Sequence, residues 1–147
     1  MKTLNNYLSF LNEKLDHTQA IVLIDNEKQK FEKTLKDPQC EKLGKKVNDL
    51  WIDASKYVND GNKNFNPMNI DVNDKRIPEE LKREMKKANK IYESCQKSFE
   101  MKRINSLIQW LKTKGVNICE TKTEDVSKCK KYINDQIKWY QKNMKRV

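Results

Sequence analysis

Apolar residues return every three or four positions along almost the whole chain, and this period decides what it can fold into. Leu4, Leu8, Leu11 and Leu15 follow a 4-3-4 spacing, which puts all four on one stripe of a helix. Ile21, Ile24, Phe31 and Leu35 mark a second helix, and Cys40, Leu43, Val47, Leu50, Trp51, Ala54 and Val58 a third. Leu81, Met85, Ala88, Tyr92, Cys95 and Phe99 open a fourth, which Ile104, Leu107, Ile108 and Leu111 continue after a change of phase near residues 101–103. Val126, Cys129, Ile133, Ile137, Tyr140 and Met144 line the last. A sheet would need strict alternation instead. With 36% hydrophobic and 35% charged residues the composition could suit disorder, but disordered chains lack such regularly spaced apolar residues. The reading is all-α: a disulfide-stapled bundle of about five helices, several of them long, in a single domain over residues 1–147.

The boundaries follow from local chemistry. The first helix is expected to end near His17-Thr18, with Thr18 capping the second, the alternative being that the two form one helix. Asp37-Pro38 forces a break, because a residue before proline is driven from the helical region while proline suits the first turn of the next helix. Asn59-Asp60-Gly61 stops the third helix. Residues 59–76 show no helical period and are predicted to be a long loop, disordered or packed in part through Phe65, Met68 and Ile70. Pro78-Glu79-Glu80 starts the fourth helix with acids at its positive end, and Gly115 is expected to end it. A connector holding Val116, Ile118 and Cys119 then leads to Thr123-Glu124-Asp125, which caps the final helix.

Four cysteines interrupt these stripes, and a bundle of this length needs none to fold. Their spacings are 55, 24 and 10 positions, so no close pair resembles a zinc knuckle. No metal and no cofactor is expected. Thiol catalysis needs an oriented base, and the only histidine, His17, is read as a helix-end surface residue or weak dipole partner. Glu79-Glu80 and Glu124-Asp125 sit at helix starts for electrostatic reasons, and three isolated glycines make no phosphate loop. An enzyme is not expected, and no catalytic residue is assigned. Burial as small core residues or crosslinking remains for Cys40, Cys95, Cys119 and Cys129. An even count favours crosslinking, hence an oxidising compartment. Three pairings exist and sequence alone does not choose among them. The expected one joins Cys40 to Cys95, tying the third helix to the fourth, and Cys119 to Cys129, closing the connector onto the final helix.

Charge is uneven. Residues 82–147 hold 18 of the 31 Lys and Arg but 7 of the 21 Asp and Glu, a net +11, leaving the remainder near −1. Such asymmetry attracts anionic partners, although lysine-rich helix faces are commonly just solvated. Within this half, Trp139 lies one position off the apolar stripe, between Lys138 and Lys142, where an exposed ring beside cations could anchor a protein or a glycan. With Lys130 and Lys131 these three residues form the candidate contact set. The other aromatics, including Trp51, Trp110, Tyr132 and Tyr140, are read as core. No apolar run is long enough to span a bilayer, and Met1-Lys2 opens neither the apolar stretch nor the small-residue site of a secretory signal.

Phe31, then Cys40-Glu41-Lys42-Leu43, then Tyr92-Glu93-Ser94-Cys95-Gln96-Lys97 with Arg103 beyond, then Cys129-Lys130-Lys131-Tyr132-Ile133 before a Lys-rich helix, form a recognisable order. It resembles the cysteine-rich N-terminal domains of malaria-parasite SURFIN and related subtelomeric surface proteins. The closing Cys-Lys-Lys-Tyr helix, preceded by Ile108-Gln109-Trp110, also resembles the third subdomain of Duffy-binding-like adhesion domains. The resemblance implies a helical ectodomain on the parasite or infected-cell surface, a ligand-binding and antigenic module, often without a standard N-terminal signal and with a membrane span downstream.

The expected function is therefore an extracellular, non-enzymatic protein-interaction or adhesion module that binds through its basic C-terminal half. Its partner is expected to be a protein, a host or parasite surface receptor, with a glycan as an option and nucleic acid less favoured; a monomer is favoured. One rival is a reduced intracellular protein that uses the same face for nucleic acid or an acidic protein, although no helix-turn-helix spacing or RNA-binding motif supports it. Another is a structural assembly protein whose stripes pair with a second chain.

Overall fold

Side-chain carboxylates and amides set the helix starts. The computed structural model describes residues 14–59, 61 and 65–147. Helix α1 spans His17–Glu32, and Asp16 caps it: the Asp16 carboxylate accepts the Gln19 N–H at 2.8 Å while Gln19 Oε1 accepts the Asp16 N–H at 3.1 Å. Thr18 is thus not the cap, and His17 opens a helix rather than ending one. The reason lies in Leu15, whose N–H donates to the Lys122 carbonyl at 2.7 Å and whose carbonyl accepts the Glu124 N–H at 3.0 Å. A residue held in such a bridge is extended, so the helix can begin only after it. Leu4, Leu8 and Leu11 lie outside the described residues.

Helix α2 spans Pro38–Val58, with Asp37 accepting the Gln39 and Cys40 amides at 3.0 and 3.2 Å and proline in the first turn, as the Asp37-Pro38 pair predicts. It stops at Asn59, and Gly61 takes φ +83°, a left-handed conformation that glycine adopts without a Cβ penalty. Helix α3 runs Glu79–Trp110 with Glu79 and Glu80 in its first turn. A π-helical turn, Leu111–Gly115, leads into α4, Val116–Lys122, and α5 spans Val126–Met144. The described residues hold four helices, one of them in two pieces, and no named strand. The all-α reading holds.

Gly115 departs from its expected role. It is buried in right-handed conformation, φ −62°, and the chain stays helical through it. A Cβ there would meet Ile133 Cδ1 at 3.0 Å, so glycine permits close approach of α5 rather than a left-handed stop. In consequence Cys119 lies inside α4, not in a connector.

The chain divides into two compact units, one made of the described residues through Leu35 with Met101–Val147, the other of Lys36–Glu100. In the first, Ala20, Ile24, Leu107, Leu111, Cys119, Cys129 and Ile133 are almost fully buried, with Ile104, Ile108, Ile137 and Tyr140 beside them. Each large apolar side chain so buried contributes roughly 1.5–3 kcal/mol. Arg103 pairs with Glu32 at the rim, and the Tyr132 hydroxyl donates to Asp25 at 2.5 Å.

The second unit is built around Ala54, Val58, Ile77 and Met85. Phe65, Ile70 and Val72 pack against it, whereas Met68, named with Phe65 and Ile70 in the expected partial packing, is 48% exposed. The segment from Phe65 to Ile77 is ordered by short polar turns. Asn66, Asp71 and Asp74 each accept the amide two residues on, at 3.0, 2.9 and 2.9 Å. Asp74 also takes the Arg76 guanidinium through both oxygens, at 3.1 and 2.9 Å, and this holds its carboxyl down at about 2.

Candidate functional site

Both cysteine pairs are disulfides: Cys40–Cys95, with Cα atoms 5.7 Å apart, and Cys119–Cys129, 5.5 Å apart. This is the expected pairing, although Cys119–Cys129 joins α4 to α5 rather than a connector. Glycine explains how α2 approaches α3 beside the first bond. Gly44, one turn after Cys40, faces the Tyr92 ring, where a Cβ would come within 2.9 Å. Asp37, Cys40 and Cys95 bring three metal-type donor atoms within 4.8 Å of one another, but the two sulfurs are bonded to each other and offer no thiolate. Two disulfides suit an oxidising, secreted-type environment. Among the described residues no helix is long and apolar enough to cross a membrane.

The candidate contact residues all lie on α5, and its phase separates them. Cys129, Ile133, Ile137 and Tyr140 turn into the core. Lys131, Lys138 and Lys142 are exposed on the opposite side. Lys145, just beyond the helix, extends the seven-residue spacing of Lys131 and Lys138, so cations recur over about 21 Å of helix axis. Lys130 differs: it is half-buried and its Nζ pairs with Glu120 on α4 at 2.9 Å, which ties it to the neighbouring helix. From Val126 to the last residue the chain carries seven cations and one carboxylate, Asp135.

Trp139 is 58% exposed, the most exposed of the large apolar side chains described. Its ring meets Tyr140 edge-on, centroids 5.0 Å apart at 80°. Tyr140 is in turn covered by Lys28, whose Nζ lies 5.1 Å from the ring centroid. A ring held this way loses less freedom on binding than a free one. Lys28 and Lys145 were not among the sequence candidates. The seven-residue spacing could have found Lys145; Lys28 belongs to another helix, and nothing in its surroundings announces Tyr140.

His17 has its Nδ1 buried with no hydrogen-bond partner among the described residues, at the start of α1 rather than on an open surface. Trp110 and Trp51 are half-buried against their cores as read from the sequence.

Comparison of the chain with protein-family models, with curated proteins and with solved structures finds no match.

Proposed function

We propose that this chain is an extracellular, non-enzymatic protein-interaction module, of the kind its likeness to SURFIN-type parasite surface domains implies, and that it contacts an acidic protein partner through the outer face of α5. The observation that carries the reading is Trp139, exposed and braced by Tyr140 amid Lys138 and Lys142. An aromatic anchor ringed by cations suits a partner with an apolar pocket and an acidic rim. Crosslinked cysteines support work in an oxidising compartment, and with all four sulfurs in disulfides no thiolate is at hand for catalysis.

The test is binding of the oxidised, labelled chain to erythrocytes by flow cytometry. Binding should be saturable, fall after mild protease treatment of the cells, and drop about tenfold or more for Trp139→Ala. Lys138→Glu with Lys142→Glu should act in the same direction and weaken the salt dependence. Binding that survives protease but disappears after enzymatic removal of surface glycans would replace the protein partner with a glycan. Binding unchanged by either variant would reject the α5 face.

A further inference from the structure

The first unit carries a second surface, none of whose lining residues lies on α5. Two concavities of about 430 Å³ each lie along the seam between α1 and the helical run that ends α3 and continues through α4. Trp110 and Lys114 line both, so the two lie end to end. Phe31 faces the α3 end and Leu23 the α4 end, so the walls run antiparallel and form one linear groove. Its far wall extends from Asn105 to Lys122, about 26 Å at helical rise.

The π turn shapes this wall. It leaves Trp110 and Lys114 on the groove side while Leu111 and Gly115 stay buried. Thr113 Oγ1 donates to the Gln109 carbonyl at 2.8 Å, which helps satisfy the backbone where the turn widens. Trp110 also stacks on Phe31, with centroids 6.3 Å apart, so these two rings of an apolar floor that also includes Leu23 and Ile118 are held against each other.

Charge selects the occupant. The carboxylate of Glu27 on this seam is already paired with Lys30 at 3.3 Å. Lys114 and Lys122 are exposed and have no ion-pair partner among the described residues. We infer that the groove takes an acidic amphipathic helix of a partner protein, about four turns long, with apolar residues on the Trp110 floor and carboxylates toward Lys114 and Lys122. A polyanion would leave the apolar floor without a counterpart. A second copy of this chain, at net +10, would bring like charge to a basic surface.

The groove and the α5 face are tested apart with one probe, a fluorescein-labelled 16-residue helical peptide bearing leucines at alternating three- and four-residue spacing and glutamates beside them. Anisotropy titration with the full oxidised chain should show saturable binding, at least about tenfold tighter than for the same peptide with lysines in place of the glutamates. Lys114→Glu and Lys122→Glu, both exposed and not expected to perturb folding, should together reverse that preference. Lys97→Glu, a matched change elsewhere, should not. Trp110→Ala should weaken binding and Trp110→Phe should keep most of it.

Absence of saturable binding, equal affinity for the two peptides, or indifference to the Lys114 and Lys122 changes would each overturn the inference. If Trp139→Ala abolishes binding while the Lys114 and Lys122 variant retains it, the peptide sits on α5, and the groove fails while the α5 reading stands. Dimer formation by light scattering that peptide does not compete away, but that Lys114→Glu with Lys122→Glu abolishes, would assign the groove to a second copy and also overturn it.

Discussion

Replacing Cys40 and Cys95 together by alanine removes a crosslink between residues 55 positions apart. In the chain-entropy account a crosslink over that distance takes about 4 kcal/mol of freedom from the unfolded chain at 25 °C, against about 3 kcal/mol for the 10-position Cys119–Cys129 loop. Entropy alone therefore ranks the first bond as the more stabilising. Burial closes the gap. Cys119 and Cys129 are both 0% exposed, so their removal also leaves two sulfur-sized holes at roughly 1 kcal/mol each, whereas in the first pair only Cys40, 7% exposed, leaves such a hole and Cys95 sits half-buried. The expected losses are about 5 kcal/mol both for Cys40→Ala with Cys95→Ala and for Cys119→Ala with Cys129→Ala.

Because the chain has two compact units, the losses should be read with separate probes. Trp51 reports the second unit, and Trp110→Phe with Trp139→Phe leaves it as the only tryptophan. In urea titrations followed by Trp51 fluorescence, removing Cys40–Cys95 should lower the midpoint and raise the slope, since an uncrosslinked unfolded chain exposes more surface. A dithiol reductant should also reach this bond first, because Cys119–Cys129 is sealed, and alkylation with peptide mapping would give the order. An unchanged Trp51 midpoint would show that Cys40–Cys95 does not stabilise the second unit, and earlier reduction of Cys119–Cys129 would show that it is not sealed.

Tyr132→Phe should cost about 1–3 kcal/mol by leaving the half-buried Asp25 without its donor, measured by thermal unfolding near pH 7. Burial first, then Asp25, raises the Tyr132 pKa, so its contribution is full below about pH 10, is lost as pH rises further, and should vanish in the phenylalanine variant. Gly44→Val should destabilise the second unit by about 1–3 kcal/mol through collision with Tyr92, and a smaller residue at position 92 should recover part of it in a double-mutant cycle. The Asp74 carboxyl, held down chiefly by the Arg76 hydrogen bond, should titrate by NMR near pH 2. Its contribution is present above its unfolded value near pH 4 and is lost as pH falls through about 2; Arg76→Ala should move the midpoint back up.

The helices were legible wherever one face had to be buried. Ile133, Ile137 and Tyr140 fall on the core as their spacing requires, and Asp37-Pro38 breaks the chain because both its parts act locally. Failures occur where distant residues overrule local ones. Leu15 fits the leucine stripe, but its backbone pairs with Lys122 and Glu124, more than a hundred positions away. Gly115 carries a local stop preference, yet the closeness of Ile133 makes it a contact glycine. The segment from Phe65 to Ile77 has no period because it is built from Asx turns, whose pattern is a polar residue accepting an amide two positions on rather than a repeating stripe.

For the candidate site, lysine abundance was the weaker guide. Helix α2 also carries four lysines, but Glu41, Asp49 and Asp53 among them leave it near +1. What distinguishes α5 is that it carries a single acidic side chain, Asp135, and that its exposed Lys131, Lys138 and Lys142 have no ion-pair partner among the described residues, whereas Lys128 and Lys130 pair with Asp125 and Glu120. The phase of Trp139 could be read from sequence, since its neighbour Tyr140 completes the inner stripe. Whether another element covers the ring could not, because coverage is decided by packing between helices. Trp139 is 58% exposed beside a Tyr140 that is 7% exposed, so a step of one residue separates an aromatic that stabilises the core from one that contributes little to it. Trp139→Ala should therefore leave the unfolding free energy within about 0.5 kcal/mol while Tyr140→Ala lowers it by about 3–5 kcal/mol, and that contrast makes the α5 face testable for binding without confounding by stability.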